Sequence, residues 1–202
     1  AGAGAIGARL VDHHQIALFG ERPETKARLE QITGNWGQFQ PVLTQAAGRG
    51  AAVEYRFRNG RRVDFTAREI NVSRLLADVK AYLKSNPKSL DWNRINISDI
   101  GHRLISAKQE EYVGKQVAAW SLDLNPRPGH YDRRVTVATP LQKAGAYLLT
   151  AKMENGNTSN IVVWIADTVI VKKNLADRGT YYFVADAADG RPIPKANLEF
   201  FG

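Results

Sequence analysis

Cysteine is absent from the 202 residues, which removes disulfides, thiolate metal sites and a cysteine nucleophile in one step. The disulfide-dense secreted scaffolds go with it, while the compartment stays open. No apolar run approaches the roughly 18 residues of a membrane-crossing helix. The opening AGAGAIGARL lacks the charged-then-apolar order of a secretion signal. The strained Gly-x-Ser-x-Gly elbow of many hydrolases is missing, and GARL and AAGRGAA lack the Lys-Ser/Thr ending of a phosphate loop. No catalytic, cofactor-binding or metal-binding residue is nominated, no cofactor is implied, and the expectation is a protein that is not an enzyme.

What is present supports a folded chain, because 44% of residues are apolar and the charged fraction is an ordinary 24%. The net charge of +8 permits anionic partners. Between Arg49 and Arg74 stand seven arginines against Glu54, Asp64 and Glu69, most of them alternating with apolar residues. That is the pattern of a sheet's solvated face. The sharper alternative is a basic surface module that binds anionic polymer, carbohydrate or nucleic acid.

The early residues have helical grammar. In ERPETKARLEQITGNWG, Thr25 reads as an N-cap, Ala27, Leu29 and Ile32 follow in a helical stretch, and Gly34 stops it. From Ala51 the period becomes two. Val53, Tyr55 and Phe57 alternate with charged residues, and beyond Asn59-Gly60 Val63, Phe65 and Ala67 alternate with Arg62, Asp64, Thr66 and Arg68. The expected structure is a hairpin whose bulged loop, with Gly60 left-handed, pairs Tyr55 with Val63 and Val53 with Phe65. NVSRLLADVKAYLKSNP then places Leu75, Leu76, Val79, Tyr82 and Leu83 at helical spacing, with Asn71 or Ser73 as cap and Asn86-Pro87 as stop. IGHRLISAK, QVAAWSLDL, YDRRVTVAT, GAYLLTAKM, NIVVWIA and TVIVKK read as further short strands. With the hairpin they make an immunoglobulin-like β-sandwich, mainly β, carrying one inserted amphipathic helix and a short helical N-terminal segment.

The closing GTYYFVADA and DGRPIPKANLEFFG repeat the grammar of strand, turn and new strand, with Ala196, Leu198 and Phe200 alternating. Because proline favours extended backbone around itself, ANLEFFG reads as a strand that is starting, which predicts a piece of a longer protein. The expected division is a helical or loose lead-in over 1–34, a sandwich over 35–165, and the opening strands of a second, truncated domain over 166–202.

VEYRFRNGRRVDFTARE, TPLQKAGAYLLTAKM, NIVVWIADTVIVKK and above all YYFVADAADGRPIPKANLEF resemble the macroglobulin domains of bacterial alpha-2-macroglobulins. The resemblance runs from about Asn35 to Gly202. It implies a structural module of an envelope or secreted protein, periplasmic or extracellular, whose complete chain entraps proteases. Its expected partners are neighbouring macroglobulin domains of the same chain and, through the full-length parent, proteases; no specific nucleic acid and no membrane span are expected. Some members carry a thioester within Cys-x-Glu-Gln. Here the tetrapeptide is Arg28-Leu29-Glu30-Gln31, and without the thiol no thioester forms.

The remaining polar clusters have ordinary readings. His13-His14, beside Asp12, lack the three-to-five-residue spacing of zinc ligands, and His102 and His130 stand alone. Glu110-Glu111 and the pair Asp186 and Asp189 lie in expected turns with nothing to tune them for acid–base work. Trp120 and Trp164 belong to apolar strands and core packing. Trp36 and Trp92 lie nearer loops, capping the sandwich or meeting a partner, with a sugar platform as the alternative. Asn71-Val72-Ser73, Asn96-Ile97-Ser98 and Asn157-Thr158-Ser159 match the glycosylation pattern and carry no functional weight here.

Overall fold

The structure, a computed structural model, describes residues 23–97, 100–105, 109–176 and 179–200. His13, His14, Asp12 and most of the lead-in lie outside them. Ten strands and four α-helices appear among the described residues: α1 (Pro23–Thr33), β1 (Trp36–Phe39), β2 (Gln45–Ala46), β3 (Ala52–Arg58), β4 (Arg62–Ile70), α2 (Val72–Lys84), α3 (Trp92–Ile95), α4 (Ile100–Ile105), β5 (Val113–Asp123), β6 (Arg133–Ala138), β7 (Gly145–Met153), β8 (Thr158–Ala166), β9 (Thr168–Asn174) and β10 (Thr180–Asp186). Two sheets form the sandwich, one ordered β1-β3-β6 and the other β2-β8-β7-β4-β5. All pairs within them are antiparallel except the short β2–β8 pair. The protein is mainly β.

The alternation around Asn59-Gly60 is real, and its pairing is not the expected one. β3 bonds to β1 and β6, while β4 bonds to β5 and β7, so the two strands belong to opposite sheets. The connection is an arch in which Val53, Tyr55 and Phe57 face Val63, Phe65 and Ala67 across the core, all six at most 1% exposed. The left-handed residue is Asn59, with φ of 63°, in place of the expected Gly60. Its side chain explains the corner. Nδ2 donates to the carbonyls of Ile32 (2.9 Å) and Gly34 (2.8 Å), and Oδ1 lies 2.7 Å from His130 Nδ1, tying the end of α1 to the bend. Pro23 and Glu24 are already helical, so Thr25 lies inside α1 and not at the expected cap position. Gly34 follows the last turn, its N–H on the carbonyl of Glu30.

Asn71 caps α2 by accepting a bond from the N–H of Arg74, and Asn86, at φ of 50°, ends it as expected. Within the segment IGHRLISAK, Ile100–Ile105 form α4 in place of the expected strand. Ile100 and Leu104, four apart, are buried with Leu75 and Val79 of α2. Together with α3, these helices cover the outer face of the larger sheet at one end, where Ala146, Leu148, Val162 and Trp164 point outward. β7 is therefore apolar on both sides at that end, with Tyr147, Leu149, Ala151 and Met153 in the sandwich core and Ala146 and Leu148 under the helices. Such strands lose alternation because both faces are covered.

Two amide side chains close seams between the sheets by acting as short strand partners. The Asn157 amide brackets Gly37, its Oδ1 accepting from the Gly37 N–H (2.8 Å) and its Nδ2 donating to the Gly37 carbonyl (2.9 Å). Gln45 treats Ala52 the same way, at 2.9 and 2.7 Å. These contacts satisfy the outward edges of β1 and β3 where no ladder continues. Asn157→Ala leaves both Gly37 groups unpaired in a partly buried seam and is expected to cost about 2 kcal/mol. Equilibrium urea unfolding checks the cost, and hydrogen exchange at the Gly37 amide should rise selectively; unchanged exchange there would mean that the bracket is dispensable.

β9 and β10 stand apart as a two-stranded ribbon, paired over Thr168↔Asp186 to Asn174↔Thr180. The chain turns back through Asp189-Gly190 and pairs with β10 at the isolated bridge Ala185↔Pro192. The strand expected over 196–200 does not form. Pro192 and Pro194 offer no N–H to a ladder, and Lys195 takes φ of 57°.

Candidate functional site

Outward positions of the β1-β3-β6 sheet carry a cluster of cationic side chains around one tryptophan. The register sets Trp36 opposite Arg58 and Gln38 opposite Arg56, and across β3 it sets Arg56 opposite Arg134 and Glu54 opposite Thr136. Trp36 is thus a strand residue, not the expected loop residue. The guanidinium carbons of Arg56 and Arg58 lie 5.1 and 5.7 Å from its ring centroid, within the range of cation–π attraction. Asp132 serves both arginines, at 3.8 Å from Arg56 Nε and 3.4 Å from Arg58 Nη1. Arg58 also donates to the carbonyl of Gln31 at the end of α1. Gln31 and Glu30 of the RLEQ tetrapeptide therefore take helix-end roles, through their backbone carbonyls.

The seven arginines between Arg49 and Arg74 do not share a face, because the arch sends β3 and β4 to different sheets. Arg62 and Arg68 lie on β4. Arg62 pairs with Asp64 at 3.4 Å and bonds Ser121, and Arg68 donates to the carbonyl of Gly114. The hydrogen bond from Ser121, aided by Arg62, holds the exposed Asp64 carboxyl below its ordinary range. Arg74 lies over Tyr112 and reaches the carbonyl of Glu111, and Arg49 donates to the carbonyl of Ala188.

The carboxylate pairs hold turns. Asp186 Oδ1 accepts from the N–H groups of Ala188 and Asp189, and Asp189 Oδ1 accepts from that of Arg191. Glu110 and Glu111 are exposed on a single 3-10 turn, Glu110–Tyr112. Among the described residues no group of three or more metal-ligating side chains occurs. His130 meets Asn59 at the corner. Asn71 and Asn157 of the glycosylation patterns have their side chains engaged in the cap and the bracket; Ser98 of the third lies outside the described residues. Trp120 stacks on Phe65 at 5.3 Å and 19°, Trp164 packs under the helices, and Trp92 is exposed on α3 beside the stack of Arg94 on Tyr82. The tryptophans therefore do not form a row.

The ribbon is the second notable surface. Val169, Ile170 and Val171 are 41 to 52% exposed, and Leu175, Tyr181, Ile193 and Phe200 are exposed too. Phe200 leans on Tyr182, and Glu199 pairs with Lys80 of α2. The Lys80 ammonium lowers the Glu199 carboxyl from its ordinary range. No helix among the described residues is long and apolar enough to cross a membrane.

In sequence, no protein family and no curated protein matches the chain. In structure, it matches native alpha-2-macroglobulin from Escherichia coli spanning domains NIE-MG1, with a TM-score of 0.52 at 15% identity over 80% of this chain and 74% of that one. The same protein spanning MG0-NIE-MG1 matches with a TM-score of 0.50, also at 15% identity, over 79% of this chain. This chain spans 47% of that longer piece. The fold is thus that of the bacterial macroglobulin region.

Proposed function

We propose that this chain is a non-catalytic structural module of a bacterial alpha-2-macroglobulin-like protein, contributing to protease inhibition by entrapment in the cell envelope or outside the cell. A lead-in over 1–34 precedes a sandwich over 35–165, and residues 166–202 open a second macroglobulin-like unit. The observation that carries the reading is the order of parts, a sandwich with a helical layer on one sheet and then a separate apolar ribbon, and the likeness in fold to the NIE-MG1 piece supports it. The role is mechanical. Two sheets locked by a continuous core resist deformation, and an exposed apolar ribbon is a surface on which a neighbouring domain docks.

The test uses the full-length protein that carries this chain, incubated with a broad-specificity protease and assayed against a large protein and a small peptide. Entrapment predicts loss of protein cleavage with peptide cleavage retained, because a caged protease keeps an open active site. If both activities persist, the entrapment role is wrong even though the fold stands.

A further inference from the structure

The outward face of β1-β3-β6 has features that sheet stability does not call for. Arg56 and Arg134 are directly opposite on neighbouring strands, an arrangement that costs stability unless something negative offsets it. Among the described carboxylates Asp132 alone pairs with the arginines of this face, serving Arg56 and Arg58. Glu54, further along the same face, accepts the hydroxyl of Thr136. Arg134 is exposed and has no hydrogen bond or ion pair among the described residues. The Nε atoms of Arg56 and Arg58 are enclosed and lack an acceptor within bonding distance. Stacking on Trp36 fixes both guanidiniums in place, so little side-chain entropy remains to be lost when an anion arrives. Beside them β6 is the terminal strand of its sheet among the described residues, with β3 on one side and no described strand on the other.

We propose that this face docks an acidic polypeptide segment in extended conformation, which adds to the open edge of β6 and lays its carboxylates along Arg134, Arg56 and Arg58. A polypeptide answers both halves of the surface. Its backbone supplies the donors and acceptors that the β6 edge lacks. Its side chains on one face repeat every second residue, about 6.6 Å apart, which is also the spacing of Arg56 and Arg58 along β3. Arginine is the suitable cation, since its fork receives a carboxylate through two bonds. Charge on an edge strand ordinarily prevents pairing with a like edge, and here the same charge selects an acidic strand over a second copy of β6. The inference is independent of the entrapment reading.

The experiment is isothermal titration of the full chain with a synthetic dodecapeptide of alternating glutamate and threonine, at low and high salt. Saturable binding that weakens with salt is expected, with a loss of about tenfold or more for Arg56→Gln combined with Arg134→Gln. Asp132→Asn should act in the opposite direction and tighten binding, because it frees two guanidiniums; a variant that merely misfolds cannot reproduce that gain. The same peptide with alternate backbone nitrogens methylated should bind much more weakly, since it cannot complete the ladder. Binding by the methylated peptide equal to that of the parent peptide would overturn the proposal, as would no binding at all. So would tighter, arginine-dependent binding of single-stranded DNA or heparin, which would assign the face to a polyanion.

Discussion

Alanine in place of Phe65 is expected to cost about 4 kcal/mol, a large part of the roughly 5–15 kcal/mol that holds an ordinary domain together. Phe65 is 1% exposed and is the hinge of the aromatic core. Its ring meets Tyr55 edge-on at 5.6 Å and 79°, Phe39 at 6.0 Å and 44°, and Trp120 in a stack at 5.3 Å and 19°. Phe39 and Tyr55 belong to one sheet and Phe65 and Trp120 to the other, so the ring joins the two layers. Removing it opens a void between sheets whose spacing other side chains fix, and collapse can recover only part of the loss. Denaturant unfolding gives the number, and near-ultraviolet circular dichroism should weaken as Trp120 loses its stacked neighbour. A cost below about 1 kcal/mol would mean that the sheets close over the gap and that Phe65 does not hold them together.

Much of this core was legible in the sequence, and its failures have a common cause. Alternation in AVEYRFR and RVDFTARE correctly identifies Val53, Tyr55, Phe57, Val63, Phe65 and Ala67 as one core. Period two fixes the face of a residue and says nothing of its neighbour, so a hairpin and an arch between sheets leave the same signature. The decision lay in Asn59, whose left-handed bend is stabilised by carbonyls some 25 residues earlier, at Ile32 and Gly34. No local window contains them. The strand expected for IGHRLISAK failed for a related reason. Positions four apart, such as Ile100 and Leu104, lie on one side of a strand and also close together on a helix. The Trp36, Arg56 and Arg58 face was half legible: WGQF alternates outward Trp36 and Gln38 with inward Gly37 and Phe39. What no pattern revealed was that this four-residue strand pairs with β3. TVIVKK and GTYYFVADA form strands as expected, but TVIVKK, counted among the strands of the sandwich, pairs with β10 in the separate ribbon.

The inward position of Gly37 leads to the second large effect. Its φ is not in the left-handed region, so conformation does not demand glycine; space does. A methyl group built there would lie 2.0 Å from the Tyr55 hydroxyl oxygen and 2.4 Å from the ring carbon that bears it. Tyr55 is 0% exposed and has nowhere to retreat. Gly37→Ala is therefore expected to cost about 3 kcal/mol or more, at the upper end of overpacking. The tyrosine is itself a burden, since its hydroxyl is buried without a partner, and burial pushes its pKa from 10.0 up to about 12. Between those values the unfolded chain releases a proton that the folded chain keeps, so stability falls as pH rises from about 10 to about 12. Tyr55→Phe should be neutral or stabilising by about 1 kcal/mol near neutral pH. It should also flatten the alkaline decline, with a residual slope from Tyr112 and Tyr147, whose hydroxyls burial also raises. The decisive comparison is a double-mutant cycle with Tyr55→Leu, which replaces the phenol ring with a shorter side chain. Gly37→Ala should then cost less by more than about 1 kcal/mol, because the two sites are in contact and their effects do not add. Equal costs in both backgrounds would show that something other than the ring excludes the methyl group, and the Asn157 bracket on the Gly37 backbone would be the next place to look.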